Sequence, residues 1–228
     1  MNRYSKYHKV ARRVAVYAIA AAAAWYVVCC LALAAYRWID PPFTTVQAQR
    51  RIESLFSSEG YSARQQRLPL AQIPVHVRHA VIAAEDGAFY SHEGVDWEEL
   101  NLVLENVKEG GRMRGASTLS QQLVKNLFLT THSSIWRKLP EYALTPVAEA
   151  VLPKDRILEL YLNEIEWGPG VWGVGAAAQF HYGVQAEHLS RRQAARLAAC
   201  IPAPRSRRPR QMNRYSSIIL DRMKSRGW

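Results

Sequence analysis

The chain has 228 residues, 49% hydrophobic and 21% charged, so it can bury one sizeable core or two small ones; it is neither a disordered tail nor a low-complexity fibre. Thirty Lys and Arg against 19 Asp and Glu leave a net charge of +11, which favours anionic partners such as acidic headgroups, phosphorylated substrates or nucleic acid. Cys29, Cys30 and Cys200 lack zinc-site spacing and read as small apolar residues, and no repeat marks a solenoid.

Residues 1–13 carry Arg3, Lys6, Lys9, Arg12 and Arg13. Residues 14–36, Val14 to Tyr36, carry no charge. As a helix this run reaches ~35 Å, enough for a hydrocarbon core of ~30 Å. Tyr17, Tyr36 and Trp38 lie near its ends, where aromatic rings favour the interface. Only Arg37 is basic just beyond it, so the positive-inside rule puts the N-terminus in the cytoplasm and the rest outside. The expected order is a cytoplasmic basic tail over 1–13 and a transmembrane anchor over 14–36. The competing reading is a cleaved signal peptide ending at Ala32-Leu33-Ala34, but the run exceeds a signal h-region of about 7–15 residues.

Asp40-Pro41-Pro42 ends the helix, and residues 37–72 read as linker with a short helix over Gln47–Phe56. Residues 73–228 form the main domain, with apolar residues mostly at helical spacing and little strand-like alternation. Gly110-Gly111, Thr130–Ser134 and Gly168–Gly175 read as loops. Pro202–Pro209 is a Pro/Arg-rich connection to a last helix over Tyr215–Lys224.

Four segments could carry chemistry. In the first, Val81-Ile82-Ala83-Ala84 runs into Glu85 and Asp86; a carboxylate against apolar surface is poorly solvated, which raises its pKa and suits it to proton transfer. The plain alternative is a solvated helix end. In the second, Thr118-x-x-Gln121 fits a capping box, so a helix starts there with its free N–H groups facing outward. Gln121, Gln122 and Lys125 follow on one face, a set that suits a phosphate or simply a capped surface helix. In the third, Arg137 and Lys138 stand at i−4 and i−3 from Glu141, which favours the ionised carboxylate or is an ordinary intrahelical pair. The fourth, Lys154 to Asn163 with glycines behind it, reads as an amphipathic helix and a tight turn.

The order of these segments is similar to the motif series of the family 51 peptidoglycan glycosyltransferases. The series is Glu85-Asp86-x-x-Phe89-x-x-His92-x-Gly94-x-Asp96; Gly115-x-Ser117-Thr118-x-x-Gln121-Gln122-x-x-Lys125-Asn126; Arg137-Lys138-x-x-Glu141; and Lys154-x-x-Ile157-Leu158-Glu159-x-Tyr161-Leu162-Asn163. Ala194-x-x-Leu197-Ala198-x-x-Ile201-Pro202 resembles the last motif. With no room for a transpeptidase domain and no S-x-x-K, the chain resembles the monofunctional branch. The resemblance implies a mainly α, lysozyme-like fold with a small lobe that touches the membrane.

It also implies polymerisation of lipid II into β-1,4-linked glycan strands with release of undecaprenyl diphosphate and inversion at the anomeric carbon. Glu85 matches the general base and Glu141 the second glutamate, near the donor diphosphate. Lys125, Arg137 and Lys138 would hold that diphosphate. Ser117, Gln121, Gln122 and Asn126 would add hydrogen bonds, and Asp86, His92 and Asn163 would be architectural. No cofactor follows, although a divalent cation such as Mg beside the diphosphate is compatible. The implied partners are lipid II, the growing glycan strand, the membrane and other cell-wall synthesis or division proteins, with no nucleic acid. The implied location is the bacterial inner membrane with the catalytic domain periplasmic.

The chain departs from the family pattern at four places. Ala116 stands where a glycine is usual, Ser133 where a basic residue is common, and Tyr182-Gly183-Val184 lacks a closing lysine. Pro140 and Pro146 predict a helix that starts late or bends around Glu141. Leu127, Phe128, Leu129, Ile135, Trp136 and Leu139 form an apolar cluster, either membrane-dipping or core. The rival functions are a membrane-anchored lytic transglycosylase, a non-catalytic cell-wall scaffold, and nucleic-acid binding through Arg205, Arg207, Arg208 and Arg210. The last conflicts with an extracytoplasmic position.

Overall fold

The computed structural model describes residues 3–56, 62–108, 117–132 and 134–228. The expectations for Gly110-Gly111, Gly115, Ala116 and Ser133 lie outside the described residues. The fold is mainly α. In chain order, α1 spans Arg3–Ala35, α2 Thr45–Leu55, α3 Val75–Glu85, α4 Trp97–Lys108, α5 Leu119–Phe128, α6 Ile135–Val151, α7 Lys154–Glu164, α8 Val174–Tyr182, α9 Arg191–Ala198 and α10 Asn213–Ser225. Three short strands, β1 Arg64–Gln65, β2 Glu166–Gly168 and β3 Val171–Trp172, form one sheet in the order β1-β3-β2. β1 pairs parallel to β3, and β2 pairs antiparallel to it.

The loop expected over Gly168–Gly175 is a correction: it holds β3 and the start of α8. Strands of two or three residues show no alternation, so periodicity cannot reveal them. Gly173 has φ +80, and a Cβ there would lie 2.7 Å from the Gln66 carbonyl oxygen, so only glycine lets this turn press against the chain entering from β1.

Among the described residues one helix, α1, is long and apolar enough to cross a membrane, its apolar stretch running Tyr7–Ala35. Its last turns pack on the domain. Cys29 and Leu33 are buried, the Tyr26 hydroxyl donates to the Ala143 carbonyl at 3.3 Å, and Arg37 donates to the Val151 carbonyl at 2.9 Å. These contacts run in the same direction along both chains, so α1 lies parallel to the second half of α6.

Residues 37–56 and 62–72, expected as linker with a short helix, pack on the rest of the fold. Thr44 and Gln47 close a capping box at the start of α2. Arg50 pairs with Glu166 at 3.0 Å, Arg67 pairs with the fully buried Glu164 at 2.5 Å, and β1 adds the third strand.

The core lies between α3, α5, α7 and α9, where Phe89, Tyr161 and Trp167 are wholly enclosed. α9 and α10 pack on α3 and on each other. Arg222 donates to the Ala83 carbonyl at 3.1 Å, which gives an open carbonyl at the end of α3 a partner. The late start expected for α6 is overturned: the helix begins at Ile135, ahead of Pro140, and continues through Pro146. Each proline removes one backbone donor, and tertiary packing of the buried Glu141, Leu144 and Thr145 holds the helix through both.

Candidate active site

The C-terminus of α3 and the N-terminus of α5 meet at Asp86. Its carboxylate accepts the Leu119 backbone N–H at 2.9 Å and the His92 Nε2–H at 3.0 Å. His92 Nδ1 accepts the Gly94 N–H at 3.0 Å, so the proton sits on Nε2 and the ring donates to Asp86. Thr118 closes the predicted capping box with Gln121 and also donates to the Gly94 carbonyl at 2.5 Å. Gly94 has φ +98, and a Cβ there would lie 2.8 Å from the Thr145 methyl. The loop after Glu85 is thereby clamped against α5 and α6. Asp86 and His92 set the direction in which Glu85 leaves its helix.

Gln122, on the first turn of α5, meets Glu85. Its Nε2 donates to Glu85 Oε2 at 3.0 Å and to the Ser117 carbonyl at 3.3 Å. Its Oε1 accepts from the Tyr161 hydroxyl at 2.9 Å. Burial holds Glu85 above the ordinary carboxylate range; the Gln122 bond and the charges of Lys125 and Arg207 oppose this, and the charge of Asp86 adds to it.

Lys125 follows Gln122 on the same face. It is half-buried and makes no hydrogen bond or close ion pair among the described residues. Burial pulls its pKa below the usual lysine range; Glu141 and Glu85 favour its charge, while Arg137 and Lys138 oppose it. Its charge therefore acts on both carboxylates of the site.

Glu141 is 1% exposed. The predicted i−4 and i−3 spacing brings both cations to it, with Arg137 at 2.5 Å and Lys138 Nζ on the other oxygen. Lys138 Nζ also donates to Ser117 Oγ at 2.9 Å. Ser117 thus joins the two halves of the site, its hydroxyl holding Lys138 and its carbonyl holding Gln122.

Two expected ligands, Gln121 and Asn126, face elsewhere, as does Asn163, which was expected to be architectural. Gln121 is buried and spends its carbonyl oxygen on the capping box. Asn126 donates to the Gln122 carbonyl of its own helix at 2.8 Å. Asn163 pairs with both backbone groups of Leu68 at 2.8 and 2.9 Å, as a strand neighbour would, and ties α7 to residues 37–72.

Two residues were not placed at this site from the sequence. Arg207 turns inward from the basic run, donates to the Ala199 carbonyl at 2.8 Å and places its charge on Glu85. Tyr161 lay inside a quoted motif, but only its contact with Gln122 gives it a place at the site.

Three cations beside one carboxylate can hold a polyanion, and a carboxylate of raised pKa next to them can take a proton from a hydroxyl. Among the described residues no three His, Cys, Asp or Glu side chains converge. Both Glu141 oxygens are bound by cations, so these side chains do not fit a resident Mg ion, and no step below runs through one.

A family profile described as Transglycosylase matches residues 51–224. The chain is 44% identical over 201 residues to the biosynthetic peptidoglycan transglycosylase of Ectopseudomonas mendocina (strain ymp), covering 86% of this chain and 83% of the relative. It is 43% identical over 195 residues to the protein of the same name from Stutzerimonas stutzeri (strain A1501), covering 84% and 81%. The corresponding Nitrosospira multiformis protein is 44% identical over 190 residues, covering 81% and 83%.

Proposed function

The chain belongs to the transglycosylase family and is a peptidoglycan glycosyltransferase; we propose that it joins lipid II units with Glu85 as the base. The 4-hydroxyl of the acceptor attacks the anomeric carbon of the donor, and Glu85 takes the hydroxyl proton. The C–O bond to the donor diphosphate breaks on the opposite face, and the electron pair leaves with undecaprenyl diphosphate, inverting the centre. Lys125, Arg137 and Lys138 take up the charge of the departing diphosphate, the kind of prearranged electrostatic support that dominates many enzyme reactions. Glu141 keeps Arg137 and Lys138 pointed into that site, and Ser117 aligns Lys138.

The observation that carries this reading is Lys125, half-buried and unpaired among the described residues, with its charge acting on both Glu85 and the Glu141 cluster. An unpaired cation in a partly dry site is costly unless a ligand supplies the counter-charge.

The same reading places the chain in the inner membrane with α1 as the anchor and the catalytic domain periplasmic. The parallel run of α1 and α6 supports it. α6 residues ahead of Ala143 point back along α1 toward the span, and Trp136 and Leu139 there are 77% and 63% exposed. Apolar side chains at that depth suit acyl chains, and Arg137 and Lys138 beside them suit the headgroup phosphates. Within the cluster read as either membrane-dipping or core, Leu127 and Leu129 take the core reading and are buried, Phe128 stacks on Tyr36, and the Ile135 side chain lies outside the described residues.

The test is polymerisation of labelled lipid II in detergent by wild type, Glu85→Gln and Lys125→Met. The expected result is polymer from wild type and none from folded Glu85→Gln, with Lys125→Met retaining at most about a hundredth of the rate. Full activity in Glu85→Gln would remove it as base. Muropeptide release from sacculi without polymerisation would replace synthesis by lysis.

A further inference from the structure

We infer that Tyr161 is a positioning residue for this reaction, orienting the Gln122 amide so that its N–H faces Glu85. The inference rests on the reading of Glu85 as base for its consequence in catalysis, although the contact itself does not depend on that reading.

Gln122 has an amide with two chemically opposite ends, and both are engaged. Its Nε2 faces two acceptors, Glu85 Oε2 at 3.0 Å and the Ser117 carbonyl at 3.3 Å. Its Oε1 faces one donor, the Tyr161 hydroxyl at 2.9 Å. Turned over, the amide would set an oxygen against two oxygens and its NH2 against a hydroxyl. Tyr161 is the only group among the described residues bonded to Oε1, and it is wholly buried on α7. Its ring packs in the core, so the hydroxyl has no freedom to follow the amide elsewhere. A buried phenol spending its one proton on a glutamine oxygen sets which end of that glutamine reaches Glu85.

This matters because an amide N–H stabilises the ionised carboxylate, and a base works only when ionised. The charged groups around Glu85 are Asp86 on its own chain, Lys125 from α5 and Arg207 from the segment after α9, with Tyr161 beneath from α7. Lys125 and Arg207 also favour ionisation, but as charges without a fixed bond to Glu85. Gln122 supplies the one directional contact among them, and Tyr161 decides its direction.

The experiment titrates Glu85 directly, by carbon-13 NMR of the labelled carboxyl in the full chain in detergent. The proteins are wild type, Tyr161→Phe, Gln122→Met and the double variant. Tyr161→Phe keeps the ring and removes only the hydroxyl. It is expected to move the Glu85 titration to higher pH, and in the Gln122→Met background it moves it no further. An equal shift in both backgrounds, or none in either, overturns the inference. If Tyr161→Phe fails to fold, 3-fluorotyrosine at position 161, a better donor of the same shape, is expected to move the titration to lower pH; no movement overturns the inference.

Polymerisation supplies the catalytic arm. Tyr161→Phe should lose roughly three- to tenfold in kcat/KM at the acid end of the pH profile and recover toward alkaline pH. A loss constant across pH would mean a merely structural role. Activity surviving in Glu85→Gln would sink the base reading alone, because the NMR titration still reads the Tyr161 contact.

Discussion

The Asp86 carboxylate accepts the backbone N–H of Leu119 at 2.9 Å, and this bond ties the helix that ends at Glu85 to the helix that carries Gln122 and Lys125. A negative charge at a helix N-terminus is stabilised by the free N–H groups there and by the helix dipole. His92 holds the same carboxylate from the other side. Glu85 and the cationic groups therefore keep their spacing through one buried anion.

Asp86→Asn keeps the shape but removes the charge and sets an NH2 group against a donor. We expect a loss of about 1–3 kcal/mol in stability, read by chemical unfolding in detergent. Polymerisation should fall by an order of magnitude or more, because the separation of Glu85 and Lys125 relaxes.

The polymerisation rate should fall on the acid side as Glu85 takes a proton, with a midpoint above the ordinary carboxylate range because burial raises its pKa. Lys125→Met removes a charge that favours the ionised form, so the acid limb of its residual activity should move to still higher pH. On the alkaline side, loss of the Lys125 charge should weaken diphosphate binding below the usual lysine range, since burial lowers its pKa. A profile flat through both regions would count against both roles.

Glu85→Gln should stabilise the fold while abolishing synthesis. Glu85 binds its proton more tightly in the folded state than in the unfolded one. The folded state thus holds more protons through this window, and stability falls as pH rises from the ordinary carboxylate range through the raised folded value. Above the folded value that penalty is fully present, and glutamine removes it. We expect a higher Tm for Glu85→Gln at pH 7, with the difference vanishing at pH values where Glu85 is protonated in both states.

Shortening the anchor should have two distinct effects. A chain beginning at Ala24 keeps the Tyr26 bond to α6 and the buried Cys29 and Leu33, and should unfold in detergent at the wild-type temperature. A chain beginning at Arg37 loses them, and Leu33 alone is worth about 1.5–3 kcal/mol of burial. Its Tm should drop by several degrees.

Trp136 should lie within reach of acyl chains. In liposomes containing brominated lipid, Trp136→Phe should remove a quenched share of the tryptophan emission. Equal quenching in wild type and variant would place the start of α6 outside the bilayer.

Local features were legible in the sequence because their causes are local. The uncharged run of α1, the Thr118 capping box and the Arg137-Lys138-Glu141 face follow from helix geometry within a few residues. The ordered motifs carried the family, and the comparisons agree with it. The late start read from the prolines of α6 misled for the same reason: judged locally they delay a helix, whereas α6 begins at Ile135 and runs through both, with Glu141, Leu144 and Thr145 buried.

Contacts between residues far apart in the chain come from packing alone. Asp86 and Leu119 are 33 positions apart, Gln122 and Tyr161 39, and Tyr26 and Ala143 117. No periodicity or spacing rule encodes such pairs, because each depends on how helices cross. Hence Gln121 and Gln122, adjacent and alike in sequence, part company in the fold: one closes a helix cap and the other reaches Glu85. The sequence by itself determined the kinds of groups available and the helices that carry them. The packing of α3, α5 and α7 decided which of those groups share one partly dry space, and desolvation there raises the pKa of Glu85 and lowers that of Lys125.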